Sequence, residues 1–149
     1  LVWGHAAHSV GRVEGNIGRD PKNRKKMAIV ARGGKPAVTH YALVEAYGLT
    51  ASLVDCRLET GRTHQIRVHM ASLGHPVLGD PLYSRARRGR SNDLPDDLRQ
   101  AIAAFKRQAL HAAELGFRHP VDGRDLNFQS DPPHDMQALL ELFRRHDSA

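Results

Sequence analysis

The sequence lacks the residues and runs that define several protein classes. Its 149 residues contain one cysteine, Cys56, which excludes an internal disulfide framework and a cysteine-rich zinc site. No apolar run approaches the roughly 18 consecutive residues of a membrane-spanning helix. The first residues have neither the charge nor the apolar stretch of a signal peptide. A lone cysteine in such a chain favours a cytoplasmic location, where it packs as a small core residue.

Aromatic residues are also scarce, whereas basic residues are in excess. Aromatics make up 5% of the chain, which argues against a broad platform for stacking single-stranded bases. The 22 lysines and arginines outnumber the 16 aspartates and glutamates and give a net charge of +6. This excess is typical of a protein with a polyanionic partner such as nucleic acid, but a solvated basic surface explains it equally well.

Hydrophobic periodicity predicts one α+β unit. Alternating apolar residues predict strands, and apolar residues at intervals of three and four predict helices. We expect strands near residues 1–5, 27–30, 37–47, 50–59, 109–117 and 124–129, helices at 63–73, at 98–105 and from Pro132 onward, and a loop over 11–26. Thr63 is the expected N-cap of the first helix and Gly74 its expected stop. Because no repeat or linker divides it, the chain is predicted to form a mixed, largely antiparallel sheet flanked by helices.

The densest polar cluster covers residues 60–69, where a predicted strand passes into a predicted helix. The start of a helix offers free backbone N–H groups and the positive end of the helix dipole, which suit an anion. Arg62 and Arg67 add positive charge and bidentate donors for a carboxylate or a phosphate. The cluster therefore predicts an anion site, with a solvated first helical turn as the alternative.

Other candidate motifs are weaker. The ten histidines invite a metal site, but none forms the helical i, i+4 pair around a glutamate that zinc hydrolases use. No serine lies in a Gly-x-Ser-x-Gly elbow, and the glycines of residues 11–18 match no phosphate-binding loop. Asp80 is a candidate catalytic carboxylate, but a turn cap before Pro81 is the favoured interpretation. Tyr83 either stacks on a base or packs, and its spacing does not decide between the two.

Two long runs stand close together in the middle of the chain: residues 61–70 read GRTHQIRVHM and residues 73–83 read LGHPVLGDPLY. They are preceded by the basic stretch 20–27 and by GKPAVTHY at residues 34–41, and they are followed by RQALHA at residues 107–112 and LGFRHP at residues 115–120. Together these runs closely resemble the downstream signature of the RluA/RluD family of RNA pseudouridine synthases. The resemblance covers nearly the whole chain and is more specific than any short motif alone.

Members of this family isomerise uridine to pseudouridine in RNA. A catalytic aspartate in an Arg-Leu-Asp motif acts on a flipped-out nucleotide, without a metal or an organic cofactor. This sequence has no Arg-Leu-Asp, and its nearest approach, RLE at residues 57–59, stands in the wrong place. LVWG at residues 1–4 resembles the tail of a second family motif that carries a tyrosine. We therefore expect residues 1–149 to be the C-terminal portion of a catalytic domain, with its nucleophile upstream and no activity of its own.

The resemblance also implies roles for single residues. Arg67 matches the arginine that pairs with the catalytic aspartate, and Arg62 is the weaker alternative. A fixed guanidinium keeps a partly buried carboxylate ionised and oriented. The implied substrate-binding residues line the base pocket (Ile66 and Leu110), face the substrate or buttress the helix start (Arg62, His64 and Gln65), or hold RNA phosphates from two basic loops (Lys25, Lys26, Arg87 and Arg88). For the two loops, solvated charge is the alternative.

The resemblance implies an intact protein that is a monomer and modifies large-subunit (23S) ribosomal RNA. Its expected partner is RNA, with no membrane and no small-molecule cofactor. Two other functions stay open from the sequence. A non-catalytic RNA-binding module would keep the basic cleft without a nucleophile, and a histidine-dependent metal hydrolase would need a metal ion. The sequence upstream of residue 1 tests the first of these, and metal analysis of the purified protein tests the second.

Overall fold

The structure, a computed structural model, describes residues 1–6, 8–84 and 93–147, which form two sheets and three helices. The strands are β1 (Val2–Trp3), β2 (Val10–Arg19), β3 (Met27–Ile29), β4 (Lys35–Tyr47), β5 (Ala51–Leu58), β6 (Glu114–Arg118) and β7 (Asp125–Gln129). The helices are α1 (Gln65–Ser72), α2 (Asp96–Ala104) and α3 (His134–Asp147). One sheet has the order β1-β5-β4-β2-β3, β6 pairs with β7, and every described pair is antiparallel. The predicted α+β class is confirmed.

The loop predicted over residues 11–26 is wrong for its first half, which forms β2. This strand pairs along most of its length with β4. Its glycines mark close approaches rather than turns, because a Cβ built on Gly11 would lie 2.4 Å from the Tyr41 ring. Glycine inside a strand is typical of places where another group crosses closely. The loop that carries Lys25 and Lys26 is therefore only the short connection from β2 to β3.

Strands β4 and β5, both predicted from the sequence, pair as an antiparallel hairpin around Gly48. Gly48 has a φ of +52°, a conformation that glycine adopts without steric cost. A β-bulge between Leu43 and Glu45 interrupts the alternation of β4. Val44, which the pattern places on the buried face, is consequently 61% exposed.

The predicted C-terminal helix is confirmed as α3, and its apolar stripe builds the main core. The stripe consists of the buried residues Met136, Leu139, Leu140 and Phe143. It belongs to one core cluster with residues from other parts of the chain, among them Trp3, Tyr47, Leu78 and Leu98. The Phe143 ring stacks on the Tyr47 ring with centroids 5.2 Å apart. Burial of one such side chain contributes roughly 1.5–3 kcal/mol, so the stripe anchors α3 to the sheet.

The strand predicted over residues 109–117 is partly wrong, because it begins only at β6. The preceding segment packs beside Leu78, and the buried Ala109 donates its N–H to the Leu78 carbonyl over 2.8 Å. β6 and β7 then form a hairpin with an apolar face on which Leu115, Phe117 and Phe128 are between 45% and 59% exposed. None of the described helices is long and apolar enough to cross a membrane.

Helix α1 packs against two smaller apolar clusters. These contacts fix the helix and therefore the polar residues that it carries. It contributes Met70 to a cluster with Val2 and Val77. It contributes Val68 to a second cluster, which includes residues of β2 and β4. The predicted stop of the helix is confirmed, because Gly74 follows α1 with a φ of +82°.

Candidate functional site

The start of α1 differs from the prediction. The helix begins at Gln65, and its N-cap is His64 in the left-handed conformation, with φ 57° and ψ 20°. The predicted N-cap, Thr63, is therefore wrong. A positive φ is uncommon outside glycine, and His64 is the only non-glycine residue of the described chain that has one. Such a conformation persists where surrounding contacts hold it.

Gln65 fixes the start of α1 to β4 from inside the protein. Its side-chain N–H groups donate to the Val38 carbonyl over 2.9 Å and to Thr39 Oγ1 over 3.0 Å. Its Oε1 accepts from Thr60 Oγ1 over 2.7 Å and from the Arg62 N–H over 3.0 Å. Gln65 is 3% exposed, and all of its polar groups are satisfied internally. It therefore buttresses the helix start, which is one of the two roles that the sequence left open.

Arg67 on α1 forms a two-pronged ion pair with Asp80. Arg67 Nε donates to Oδ2 over 2.7 Å and Nη2 donates to Oδ1 over 2.9 Å. Asp80 also accepts the N–H groups of Leu82 and Tyr83, over 2.9 and 3.1 Å, which confirms it as the cap of a turn. The Asp80 side chain is 0% exposed and the Arg67 side chain is 10% exposed. Asp80 therefore offers no accessible oxygen, whereas Arg67 keeps a small exposed area.

Burial and hydrogen bonding act in opposite directions on this ion pair. Burial alone raises the pKa of Asp80, but the hydrogen bonds from Arg67, Leu82 and Tyr83 and the charge of Arg67 outweigh it and hold this pKa below its ordinary value. The hydrogen bond to Asp80 raises the pKa of Arg67 in spite of burial. Both groups are therefore ionised at neutral pH, as a paired and hydrogen-bonded unit.

Tyr83 connects the ion pair to strand β3. Its hydroxyl accepts the Met27 N–H over 2.8 Å and lies 3.2 Å from the Met27 carbonyl oxygen. The Tyr83 ring centroid lies 5.0 Å from Arg67 Cζ and 5.6 Å from Lys26 Nζ, which are cation–π distances. Of the two roles open for Tyr83 from the sequence, packing is the one that the structure contains.

His64 contacts the same tyrosine. Its Nδ1 lies 3.1 Å from the Tyr83 hydroxyl, and the two rings meet edge to face with centroids 5.8 Å apart. Burial lowers the pKa of His64, and the neighbouring Arg67 charge lowers it further. Because the ordinary value is already near 6.5, the imidazole is neutral at pH 7.

Ile66 and Leu110, implied by the family resemblance to line a base pocket, meet at one apolar cluster. Both are half-buried and pack against the cluster formed by Val2, Met70 and Val77. The two side chains come from α1 and from the segment before β6, which are far apart in sequence. The structure thus brings them together, and their contact with a base stays a prediction.

The basic residues singled out in the sequence occupy several different positions. Arg62 Nε donates to the Pro36 carbonyl over 2.9 Å, so this side chain is tied to β4 and is not paired with Asp80. Lys25 is exposed and Lys26 is half-buried. Arg87 and Arg88 lie outside the described residues. Phosphate binding by any of these side chains stays a prediction.

Two other kinds of chemistry considered for this chain are a metal site and a reactive cysteine. The described residues contain no group of three or more His, Cys, Asp or Glu side chains that could hold a metal ion. Cys56 is half-buried on β5, and burial raises the pKa of its thiol to about 11, so the thiol is protonated at neutral pH.

The partnership of Arg67, Asp80 and Tyr83 escaped the sequence reasoning. Asp80 follows Arg67 by 13 residues, across the end of α1 and a turn. The available signal was the dense run of residues 73–83 directly after residues 61–70, which resembles the family signature as one block.

Comparison with known proteins points to one family. A family profile described as RNA pseudouridylate synthase matches residues 4–72. The ribosomal large subunit pseudouridine synthase D of Zymomonas mobilis is 50% identical over 143 residues, which are 95% of this chain and 43% of that protein. The protein of the same name from Neisseria meningitidis serogroup B is 48% identical over 135 residues, which are 90% of this chain and 35% of that protein.

Two solved human structures share the fold. RNA pseudouridylate synthase domain containing 4 has a TM-score of 0.69 and 26% identity, over 96% of this chain and 59% of that one. RNA pseudouridylate synthase domain containing 1 has a TM-score of 0.65 and 28% identity, over 96% of this chain and 62% of that one. The chain belongs to the RluA/RluD family of RNA pseudouridine synthases. It spans less than half the length of the two bacterial relatives.

Proposed function

We propose that this chain is the C-terminal portion of the catalytic domain of a pseudouridine synthase that acts on large-subunit ribosomal RNA. The observation that carries the proposal is the buried Arg67, held by Asp80 and Tyr83, in a chain that is 50% identical to a ribosomal large subunit pseudouridine synthase D. The name of that relative supports the substrate class. The match covers 43% of that protein, which leaves room for a nucleophile outside this chain.

The proposed reaction requires a nucleophilic aspartate, which we place upstream of this chain, and a positively charged partner for it, which this chain supplies. Isomerisation breaks the N1–C1′ bond of uridine and forms a C5–C1′ bond, while a proton leaves C5 and another is gained at N1. The base must leave its stack for this exchange. An upstream aspartate attacks the flipped-out nucleotide, and Arg67 is the residue of this chain that faces the aspartate. Its positive charge keeps the attacking carboxylate ionised and oriented.

The proposed substrate contacts surround Arg67. Ile66 and Leu110 line one wall of the base pocket, because they share an apolar cluster beside α1. His64 faces the substrate next to them as a neutral imidazole. The basic side chains of two loops contact RNA phosphates, which supply most of the affinity of such proteins: Lys25 and Lys26 in the first, and Arg87 and Arg88 in the second. The intact protein works as a cytoplasmic monomer with RNA as its partner.

The test compares ribosomal RNA from a wild-type strain, from a strain that lacks the complete reading frame containing this chain, and from the complemented strain. We expect specific pseudouridines of the large-subunit RNA to disappear on deletion and to return on complementation. An unchanged pseudouridine map contradicts the proposed function. Purified residues 1–149 are expected to form no pseudouridine in an RNA transcript, and activity of this chain alone contradicts the upstream nucleophile.

A further inference from the structure

We propose that Asp80 is a positioning residue for the isomerisation: it fixes the Arg67 guanidinium so that the remaining N–H groups of Arg67 point to the reacting carboxylate. The inference rests on the function proposed above and adds a second acidic residue to the reaction. Asp80 does not touch the substrate in this role, because its side chain is 0% exposed. It acts through Arg67 alone.

The position of the Asp80 carboxylate is set by the backbone. Its Oδ1 accepts the N–H groups of Leu82 and Tyr83, over 2.9 and 3.1 Å, within the turn that Asp80 itself begins. The carboxylate therefore cannot rotate without losing two hydrogen bonds in a buried place, which is costly. It provides a fixed reference point on which Arg67 docks with both Nε and Nη2.

The geometry leaves the other side of the guanidinium available. A guanidinium has five N–H donors in a rigid plane, and Asp80 occupies two of them. Nη1 has no hydrogen-bond partner among the described residues, and the Arg67 side chain keeps 10% of its surface exposed. The Tyr83 ring, 5.0 Å from Arg67 Cζ, further restricts the plane of the group. One orientation of the free donors is thereby selected.

A second arginine–aspartate pair of the chain serves as a control, because it has similar geometry but lies at the surface. Arg107 binds Asp135 with the same two prongs, Nε to Oδ2 over 2.9 Å and Nη2 to Oδ1 over 2.7 Å. Asp135 also accepts a backbone N–H, that of Met136, over 2.8 Å. This pair is substantially exposed, with side-chain exposures of 39% and 49%. Asp135→Asn is therefore the matched control for Asp80→Asn.

The experiment uses the protein encoded by the complete reading frame and measures single-turnover pseudouridine formation at saturating RNA, together with RNA affinity. Asparagine keeps one oxygen for the turn but presents N–H groups where Arg67 needs an acceptor. We expect Asp80→Asn to lower the rate about 100-fold, the cost of a misplacement of about 1 Å. RNA affinity should be unchanged, because phosphate contacts supply it. Asp135→Asn should keep the wild-type rate.

A double-variant cycle shows whether Asp80 acts through Arg67. In the background of Arg67→Gln, Asp80→Asn is expected to cause no additional loss of rate, because residues that act as a unit are not additive. Additive losses, or a wild-type rate for Asp80→Asn, overturn the inference. If Asp80→Asn does not fold, as judged by circular dichroism, Asp80→Glu takes its place. It keeps the charge but displaces the carboxylate, and a wild-type rate for a folded Asp80→Glu overturns the inference as well.

This experiment distinguishes an error in the proposed function from an error in the role of Asp80. If the unaltered complete protein forms no pseudouridine, the proposed function is wrong and the role of Asp80 falls with it. If the unaltered protein is active and Asp80→Asn keeps its rate, only the role of Asp80 is wrong.

Discussion

The Tyr83 hydroxyl lies 3.1 Å from His64 Nδ1, and the two rings meet at an angle of 82°. This contact joins the left-handed residue at the start of α1 to the end of the turn that Asp80 caps. Because the same hydroxyl accepts the Met27 N–H, one oxygen atom connects α1, β3 and the turn. The orientation of Arg67 consequently depends on three segments that are distant in sequence.

Removal of the Tyr83 hydroxyl is expected to destabilise the fold. Tyr83→Phe keeps the ring beside Arg67 but leaves the Met27 N–H without its partner, which costs about 1–3 kcal/mol. The free energy of unfolding, measured with urea, checks this value. Tyr41→Phe is the control, because the Tyr41 hydroxyl makes no hydrogen bond to any described residue, and its change should stay within about 0.5 kcal/mol. Equal losses in the two variants contradict the role of the Tyr83 hydroxyl.

Alanine substitutions at two glycines with nearly the same φ distinguish the cost of backbone strain from the cost of steric overlap. Gly79 and Gly33 have φ values of +74° and +72°, so alanine costs roughly 1–2 kcal/mol at either position. A Cβ at Gly79 would also lie 2.1 Å from the Arg107 carbonyl oxygen, whereas one at Gly33 meets nothing within 4 Å. We expect Gly79→Ala to cost about 1–3 kcal/mol more than Gly33→Ala. Denaturant unfolding of both variants measures the difference, and similar midpoints contradict the overlap.

The buried His69 predicts that stability decreases in mild acid. It is 0% exposed, its Nδ1 lies 2.9 Å from Thr39 Oγ1, and its Nε2 has no partner in the described residues. Burial lowers the pKa of His69. Below the unfolded pKa of about 6.5, the unfolded chain therefore binds a proton that the folded chain does not. The free energy of unfolding should fall below that pH by up to about 1.4 kcal/mol per pH unit until the folded pKa is reached.

Urea unfolding at several pH values between 7.5 and 5.5 measures this dependence. His69→Gln removes the titrating group, so its free energy of unfolding should fall less steeply over the same range. An identical pH dependence in the two proteins contradicts the prediction.

Arg67→Lys is expected to abolish most of the activity of the complete protein while RNA affinity persists. Lysine keeps the charge but lacks the planar fork that binds Asp80 through two N–H groups. The single-turnover rate should fall on the order of 100-fold. Arg62→Lys serves as the comparison, because Arg62 contacts the Pro36 carbonyl rather than a carboxylate. A normal rate for Arg67→Lys with a strongly reduced rate for Arg62→Lys reverses the assignment.

Lys25 tests the contact of the first basic loop with RNA. Its side chain is exposed on the connection between β2 and β3. If it holds a phosphate, Lys25→Ala should reduce the slope of log K against log salt by about 0.7–0.9. Arg145→Ala removes a positive charge from α3 instead and should leave the slope unchanged. Equal slopes for wild type and Lys25→Ala indicate solvated charge.

The sequence predicts those elements whose hydrophobic periodicity is visible within the element itself. The apolar residues of α3, from Met136 to Phe143, repeat at helical intervals, and the helix predicted from Pro132 onward buries them. β2 was missed because the space that Gly11 leaves is filled by Tyr41 from another strand. The exposure of Val44 likewise depends on a bulge, which local alternation does not encode.

At the candidate site, the sequence identified the residue type but not its partner. The charge of Arg67 and its position on a helix predicted an anion, either a carboxylate or a phosphate, and only the family resemblance implied a carboxylate. The carboxylate present in the structure, Asp80, comes close only because Gly74 ends α1 and the chain turns back. A partner that depends on such a turn cannot be recognised from spacing along the chain.

β3 has three residues and forms the outer strand of the five-stranded sheet. The outer strand of a sheet leaves backbone groups open to pairing with another molecule, which is a common route to aggregation. The Tyr83 hydroxyl lies within hydrogen-bond distance of both the N–H and the carbonyl oxygen of Met27. At Met27 a side chain thus occupies the place of an incoming strand, so Tyr83 blocks intermolecular β-pairing at this residue as well as holding the site together.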